Sequence, residues 1–266
     1  MNQRLVFSSL LVVGLLTLGA SAPAPAPVTI SNATIGDPEQ TPEVSTEDLR
    51  KILAEGSAKV FDARPYREFA VSHIPGALNV APKPGVPISM YVSDIAEIGR
   101  LVNENKAATI VLYCNGPFCG KSKRLAAELA AAGYTQVRRY QLGIPVWRAL
   151  GGVTEIEPDG LKYVFGKDAT AVVIDVREPK GFQTGTLPNA RSIPRSAVLE
   201  GKDVGEVKKA KDDGRLPMED HNTRLIVVGQ DGTSARFVAE ALAHEAFHNV
   251  SYFRGTFPEA SASIQP

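Results

Sequence analysis

The chain has 266 residues, 29 Lys+Arg against 29 Asp+Glu, 44% hydrophobic residues and two cysteines. The length leaves room for two compact domains. The balanced charge excludes a global field that would draw nucleic acid or an anionic membrane surface, and two cysteines exclude a disulfide-built scaffold.

Residues 1–22 have the layout of a secretory leader: Arg4 supplies the charge, Leu5 to Gly19 is nearly unbroken apolar chain, and Ala20-Ser21-Ala22 is an A-x-A cleavage pattern. Export to the periplasm or the medium is therefore expected. Pro23 directly after the cut leaves a membrane-anchored form facing the periplasm as the alternative, and only that uncleaved form implies a membrane partner. Residues 23–41 read as an Ala/Pro-rich, semi-rigid linker, with 28–43 loosely ordered.

The first domain is expected over 42–155. Ser45 and Asp48 cap a short helix whose apolar face is Leu49, Ile52 and Leu53. Val60 to Arg64 reads as a strand ended by Pro65. Tyr66 to Val71 forms a helical turn, and Ser72 to Val80 turns into a short strand. Residues 82–90 make a Pro-rich loop, and Val92 to Val102 is an amphipathic helix.

The next stretch organises the domain. Thr109 to Tyr113 is a buried strand that delivers Cys114 to the loop Asn115 to Gly120; a helix follows from Ser122 to Ala132, with Gly133 as its stop. A cysteine at that place meets the positive end of a helix, which favours a thiolate or a bound anion. Lys121, Lys123 and Arg124 add charge of the same sign. The competing reading is a core cysteine at the end of an apolar strand. Both cysteines flank one glycine-containing loop with a basic cluster behind it, which favours the reactive sulfur. Val137 to Leu142 adds a strand, and Gly143 to Trp147 turns into a last short helix.

Strands alternating with helices predict an α/β fold with parallel sheets and helices on both faces, its functional crevice outside the carboxyl ends of the strands. Cys114 lies at such an end. A glycine-rich linker is expected over 151–160, and a second copy of the fold over 156–266. Asp62, Arg64, Phe69, Pro75 and Ala77 recur at one constant offset as Asp175, Arg177, Phe182, Pro188 and Ala190. In that copy the strand Leu225 to Val228 delivers Gly229 where the first delivers Cys114.

The pattern Asp62-Ala63-Arg64, Glu68-Phe69, His73 to Asn79, Leu112-Tyr113-Cys114, Gly143 and Trp147 resembles the rhodanese superfamily, closely in the first copy and weakly in the second. The resemblance implies tandem parallel α/β domains, the second degenerate, and a sulfurtransferase that needs no cofactor or metal. It makes Cys114 the persulfide carrier, with Asn115, Gly116, Phe118, Gly120, Lys121 and Ser122 around the substrate. Cys119 is either inert or a redox partner that forms a reversible disulfide with Cys114, which a short loop in an oxidising compartment allows. The implied partners are a small sulfur-containing anion such as thiosulfate and a thiol or cyanide acceptor, with an exported protein as a further candidate. The loop departs from the common family pattern: it is two residues longer and carries Lys121 instead of arginine. Two other classes compete. One is a redox-sensing or protein-binding module of the cell envelope. The other is a rhodanese-related phosphatase, which needs an arginine where this chain has Gly120.

Outside the loop, His73 reads as a packing and hydrogen-bonding residue, and Trp147 and Tyr163 as core aromatics. His244 and His248 stand four apart on a predicted helix, a metal-ligand spacing without a third ligand.

Overall fold

The structure, a computed structural model, describes residues 29–36, 41–82, 85 and 94–265. The predicted leader, much of the Ala/Pro linker and most of the 82–90 loop lie outside the described residues. Among the described residues no helix is long and apolar enough to cross a membrane.

The first domain runs α1 (Thr46–Glu55), β1 (Lys59–Asp62), α2 (Tyr66–Val71), β2 (Leu78–Asn79), α3 (Asp94–Leu101), β3 (Ile110–Tyr113), α4 (Gly120–Ala131), β4 (Val137–Tyr140) and α5 (Gly143–Ala149). Its sheet is parallel throughout, in the order β2-β1-β3-β4. Central β3 is buried at all four positions. Successive side chains of a strand point to opposite faces, so Ile110 and Leu112 pack with Ile98, Leu125 and Leu129 of α3 and α4. Val111 and Tyr113 pack on the other face with Leu49, Ile144 and Trp147 of α1 and α5. The predicted capping box opens α1: Asp48 N donates to Ser45 Oγ at 3.0 Å, and Ser45 N donates back to Asp48 Oδ2 at 3.4 Å.

The second domain runs β5 (Thr154–Ile156), α6 (Pro158–Lys167), β6 (Val172–Asp175), α7 (Pro179–Gln183), β7 (Arg191–Ser192), α8 (Gly205–Asp212), β8 (Leu225–Val228), α9 (Gly232–His244), β9 (Val250–Phe253) and α10 (Phe257–Ser263). Its parallel sheet has the order β5-β9-β8-β6-β7. The repeat seen in the sequence is also a repeat of an ion pair, buried in the first domain and part-buried in the second. Arg64 Nε and Nη2 grip Asp62 at 2.9 and 2.5 Å, and Nη2 also donates to Ser72 O at 2.6 Å. Arg177 holds Asp175 at 3.1 and 2.7 Å and donates to Gly185 O at 2.6 Å.

The structure departs from the sequence expectations at three places. The segment 151–160 is not a linker, since it holds β5 and the start of α6. Its glycines permit close approach rather than freedom: a Cβ on Gly152 would stand 2.4 Å from the Trp147 ring, and one on Gly160 would stand 2.0 Å from Ala70 O. The segment 28–43 is not loose to its end, because Glu43 bridges Arg139 in parallel, with Arg139 N donating to Pro42 O at 2.9 Å. Tyr163 is 41% exposed, with the Arg67 guanidinium 5.5 Å from its ring, whereas Trp147 is buried as expected.

The domains are pinned together at Glu155. His73 N donates to Glu155 O at 3.0 Å and Glu155 N to His73 O at 2.8 Å, adding the first domain's turn to the edge of the second sheet. The Glu155 carboxylate takes a hydrogen bond from Tyr252 at 2.8 Å and faces His73 Nε2 at 3.2 Å. The His73 ring stacks on Phe69 with 3.9 Å between centroids. Burial alone would raise the Glu155 carboxyl, but His73 and Tyr252 outweigh it and hold the carboxyl below its ordinary value. A carboxyl lowered by folding contributes stability above its unfolded value and loses it as pH falls through the folded one. Glu155→Gln should therefore lower stability at neutral pH by about 1–3 kcal/mol and flatten the acid limb of the stability curve. Urea melts of both proteins from neutral to acid pH check this, and parallel curves would contradict it.

Candidate active site

Cys114 follows the last residue of β3 and is 3% exposed. Backbone contacts hold it in place: Ile144 N, in α5, donates to Cys114 O at 3.2 Å. Beneath it, Tyr113 Oη accepts from Ile74 N at 3.1 Å, and burial pushes that phenol well above its ordinary value, so it stays protonated. The loop turns at Gly116, whose φ of +101° lies in the region open to glycine. Cys119 N then donates to Gly116 O at 3.0 Å. Cys119 is the N-cap residue of α4, and no side chain caps that helix. Its sulfur is joined to that of Cys114 as a disulfide, with 6.2 Å between the Cα atoms. The Cys114 sulfur therefore lies at the N-terminus of α4, where the helix favours negative charge.

Gly143 fits the first turn of α5 under this loop. A Cβ there would stand 2.4 Å from Gly116 N and 2.5 Å from Cys114 O, at a φ of +67°. Both atoms are backbone, so neither can swing away. Gly143→Ala should therefore displace the loop and destabilise the domain by about 1–3 kcal/mol. Thermal melts and thiol-reactivity rates of Cys114 measure the two effects; unchanged values of both would contradict this packing.

The other predicted site residues divide by position. Gly116 and Ser122 are buried, Lys121 is half-buried, and Asn115, Phe118 and Gly120 are exposed, Phe118 fully. Asn115 Nδ2 donates to Glu68 Oε2 of α2 at 2.6 Å, which ties the loop to a neighbouring helix. In the sequence Glu68 was legible only as part of a motif. Lys121 and Arg124 lie within electrostatic reach of Asp94, the first residue of α3, and burial raises the Asp94 carboxyl while those two cations oppose the rise. Arg124 also faces Glu128 at 3.5 Å. The basic cluster is thus partly neutralised by partners on α3 and on α4 itself.

The second domain arranges the matching place differently. Gly229 follows β8, and Asp231 already caps α9, its Oδ1 accepting from Ser234 N at 2.8 Å. A carboxylate thus sits at the helix end that the first domain leaves to its cysteines. A Cβ on Gly229 would stand 3.0 Å from Asp231 O and Val176 Cγ2, so the site is also tight for a side chain. His244 is the last residue of α9, and Ala246 has a φ of +67° beyond it, so His248 is not on the same helix and the i, i+4 spacing makes no shared face. A cleft of about 740 Å³ between the domains is lined by residues such as Arg50, Trp147, Glu155 and Arg236. No residue of the cysteine loop lines that cleft.

The family profile described as a Rhodanese-like domain matches residues 45–150 and again 159–263. The chain belongs to the rhodanese family. This tandem rhodanese is 34% identical over 119 residues to the thiosulfate:glutathione sulfurtransferase of Homo sapiens, a match covering 40% of this chain and 92% of that protein. It is 28% identical over 117 residues to the HTH-type transcriptional regulator Rv0324 of Mycobacterium tuberculosis, covering 44% of this chain and 45% of the regulator. Among solved structures, thiosulfate sulfurtransferase from Pseudomonas aeruginosa aligns with 20% identity and a TM-score of 0.34, over 83% of this chain and 42% of that one. Wild-type EanB aligns with 16% identity and a TM-score of 0.38, over 85% and 61%. The rhodanese chain thus spans less than half of the regulator and of the Pseudomonas enzyme.

Proposed function

We propose that the protein is a sulfurtransferase that carries sulfane sulfur as a persulfide on Cys114. The observation that carries this reading is the position of the Cys114 sulfur at the uncapped N-terminus of α4, immediately after a buried strand. In the reduced protein the Cys114 thiolate attacks the outer sulfur of a donor such as thiosulfate, sulfite leaves with the electron pair of the broken S–S bond, and Cys114 keeps the sulfur. A thiol or cyanide acceptor then removes it. Asn115, Gly116, Phe118, Gly120, Lys121 and Ser122 surround the donor in this reading, and the second domain supports the first without holding sulfur. No cofactor takes part in these steps.

Lys121 draws in the dianionic donor against the opposing charge of Asp94. Asp94→Asn should lower KM for thiosulfate by up to about five-fold, the size of a screened surface interaction of up to about 1 kcal/mol, with kcat little changed; Lys121→Ala should raise KM. Steady-state kinetics with reduced protein test both, and a KM that is indifferent to both substitutions contradicts the role of Lys121.

A second reading, a thiol redox module without transfer activity, is favoured by the Cys114–Cys119 disulfide. Incubating reduced protein with thiosulfate separates the two, since only the sulfurtransferase releases sulfite. The predicted leader supports an exported protein, in the periplasm, secreted or anchored facing the periplasm. Recovery of the chain in the cytoplasm with an intact N-terminus would contradict export.

A further inference from the structure

We propose that Cys119 is a resolving cysteine that discharges the Cys114 persulfide as hydrosulfide, making the protein a dithiol-dependent reductase of sulfane donors. The inference rests on Cys114 being the sulfur carrier, and adds the fate of the sulfur and the class of the reductant.

Three observations carry it. The Cys119 sulfur reaches bonding contact with the Cys114 sulfur without distorting the Cα spacing, since 6.2 Å falls within the roughly 4.4–6.8 Å of ordinary disulfides. The loop is built for that approach, through the left-handed Gly116 and the hydrogen bond from Cys119 N to Gly116 O at 3.0 Å. Finally, access is unequal: Cys114 is buried, while Cys119 is partly exposed between the exposed Phe118 and Gly120. In this disulfide state a dithiol meets the Cys119 sulfur first, and once Cys114 carries sulfur, Cys119 competes with any external acceptor from the high effective concentration of a short tether.

The chemistry balances. Attack on thiosulfate leaves Cys114 as an anionic persulfide and releases sulfite. The Cys119 sulfur then attacks Cys114 Sγ and forms the Sγ–Sγ bond. The bond from Cys114 Sγ to the sulfane sulfur breaks, its electron pair leaves with that sulfur, and the Cys119 proton goes with it, giving hydrosulfide. The sulfane sulfur is reduced by two electrons while the two cysteines are oxidised to the disulfide. A dithiol restores them: its first thiolate attacks the more exposed Cys119 sulfur and expels Cys114, the thiolate that the helix end favours, and its second thiol closes the dithiol's own disulfide. The sum is thiosulfate plus dithiol to sulfite, hydrosulfide, a proton and the oxidised dithiol.

The test is a single turnover of full-length protein, reduced, freed of reductant and mixed with thiosulfate. Wild type should release sulfite and hydrosulfide in equal amounts and end at the mass of the disulfide, two hydrogens lighter than the reduced chain, with no added sulfur. Cys119→Ser and Cys119→Ala should release sulfite, retain one sulfur atom, and form hydrosulfide at least about a hundred-fold more slowly. Wild type that keeps the added sulfur and releases no hydrosulfide overturns the resolving role while leaving the carrier intact. Failure of wild type and both variants to release sulfite overturns the carrier itself.

Discussion

Cys114→Ser takes up no sulfur from any sulfane donor, and its transfer rate falls by at least about three orders of magnitude. The serine hydroxyl fits the space but is protonated at neutral pH and cannot hold sulfane sulfur. Its neighbours stay in place because the loop is held by main-chain contacts, Ile144 N to Cys114 O and Cys119 N to Gly116 O. The thermal melt of the variant should accordingly match that of the reduced wild type. Sulfite release from thiosulfate measures the effect, and a variant that keeps about a tenth or more of the rate contradicts the assignment.

Asp62→Ala is the substitution expected to cost most stability. Asp62 is wholly buried, and its two oxygens take both sides of the Arg64 guanidinium, which is itself buried. Removing the acid leaves a buried cation whose remaining partner is the Ser72 carbonyl. Breaking such a pair from one side costs about 3–5 kcal/mol, a large part of the about 5–15 kcal/mol that keeps a domain folded. Asp175→Ala repeats the experiment in the second domain with a smaller expected loss, because Arg177 is only part-buried and keeps its bond to Gly185 O. Urea unfolding should show a lowered midpoint in each variant, assigned to its domain by local probes. A loss below about 1 kcal/mol, the scale of a surface pair, would mean that water or another acid replaces the carboxylate.

Much of this architecture was legible in the residues. The apolar run ending in Cys114, the Ser45–Asp48 cap and the recurrence of Asp62 and Arg64 are local patterns, and local geometry followed them. What was missed depended on contacts between distant parts of the chain. Gly160 reads as flexible until Ala70, ninety residues earlier, is seen pressed against it. Lys121 reads as a free cation until the fold brings Asp94 of α3 within electrostatic reach of it. The pairing of Pro42 to Glu43 with β4 needs a partner nearly a hundred residues away, so nothing in its own composition announces it. Sequence spacing allowed a bond between Cys114 and Cys119 without requiring it; the turn at Gly116 is what closes the gap.

The central claim is that sulfane sulfur resides on Cys114, and locating the atom tests it most directly. Reduced Cys119→Ser protein is incubated with thiosulfate labelled with heavy sulfur at its outer position, digested without reductant, and mapped by mass spectrometry. The account predicts one heavy sulfur on the peptide that contains Cys114, and none in the Cys114→Ser protein. Labelled sulfur absent from that peptide, with sulfite still released, would contradict it.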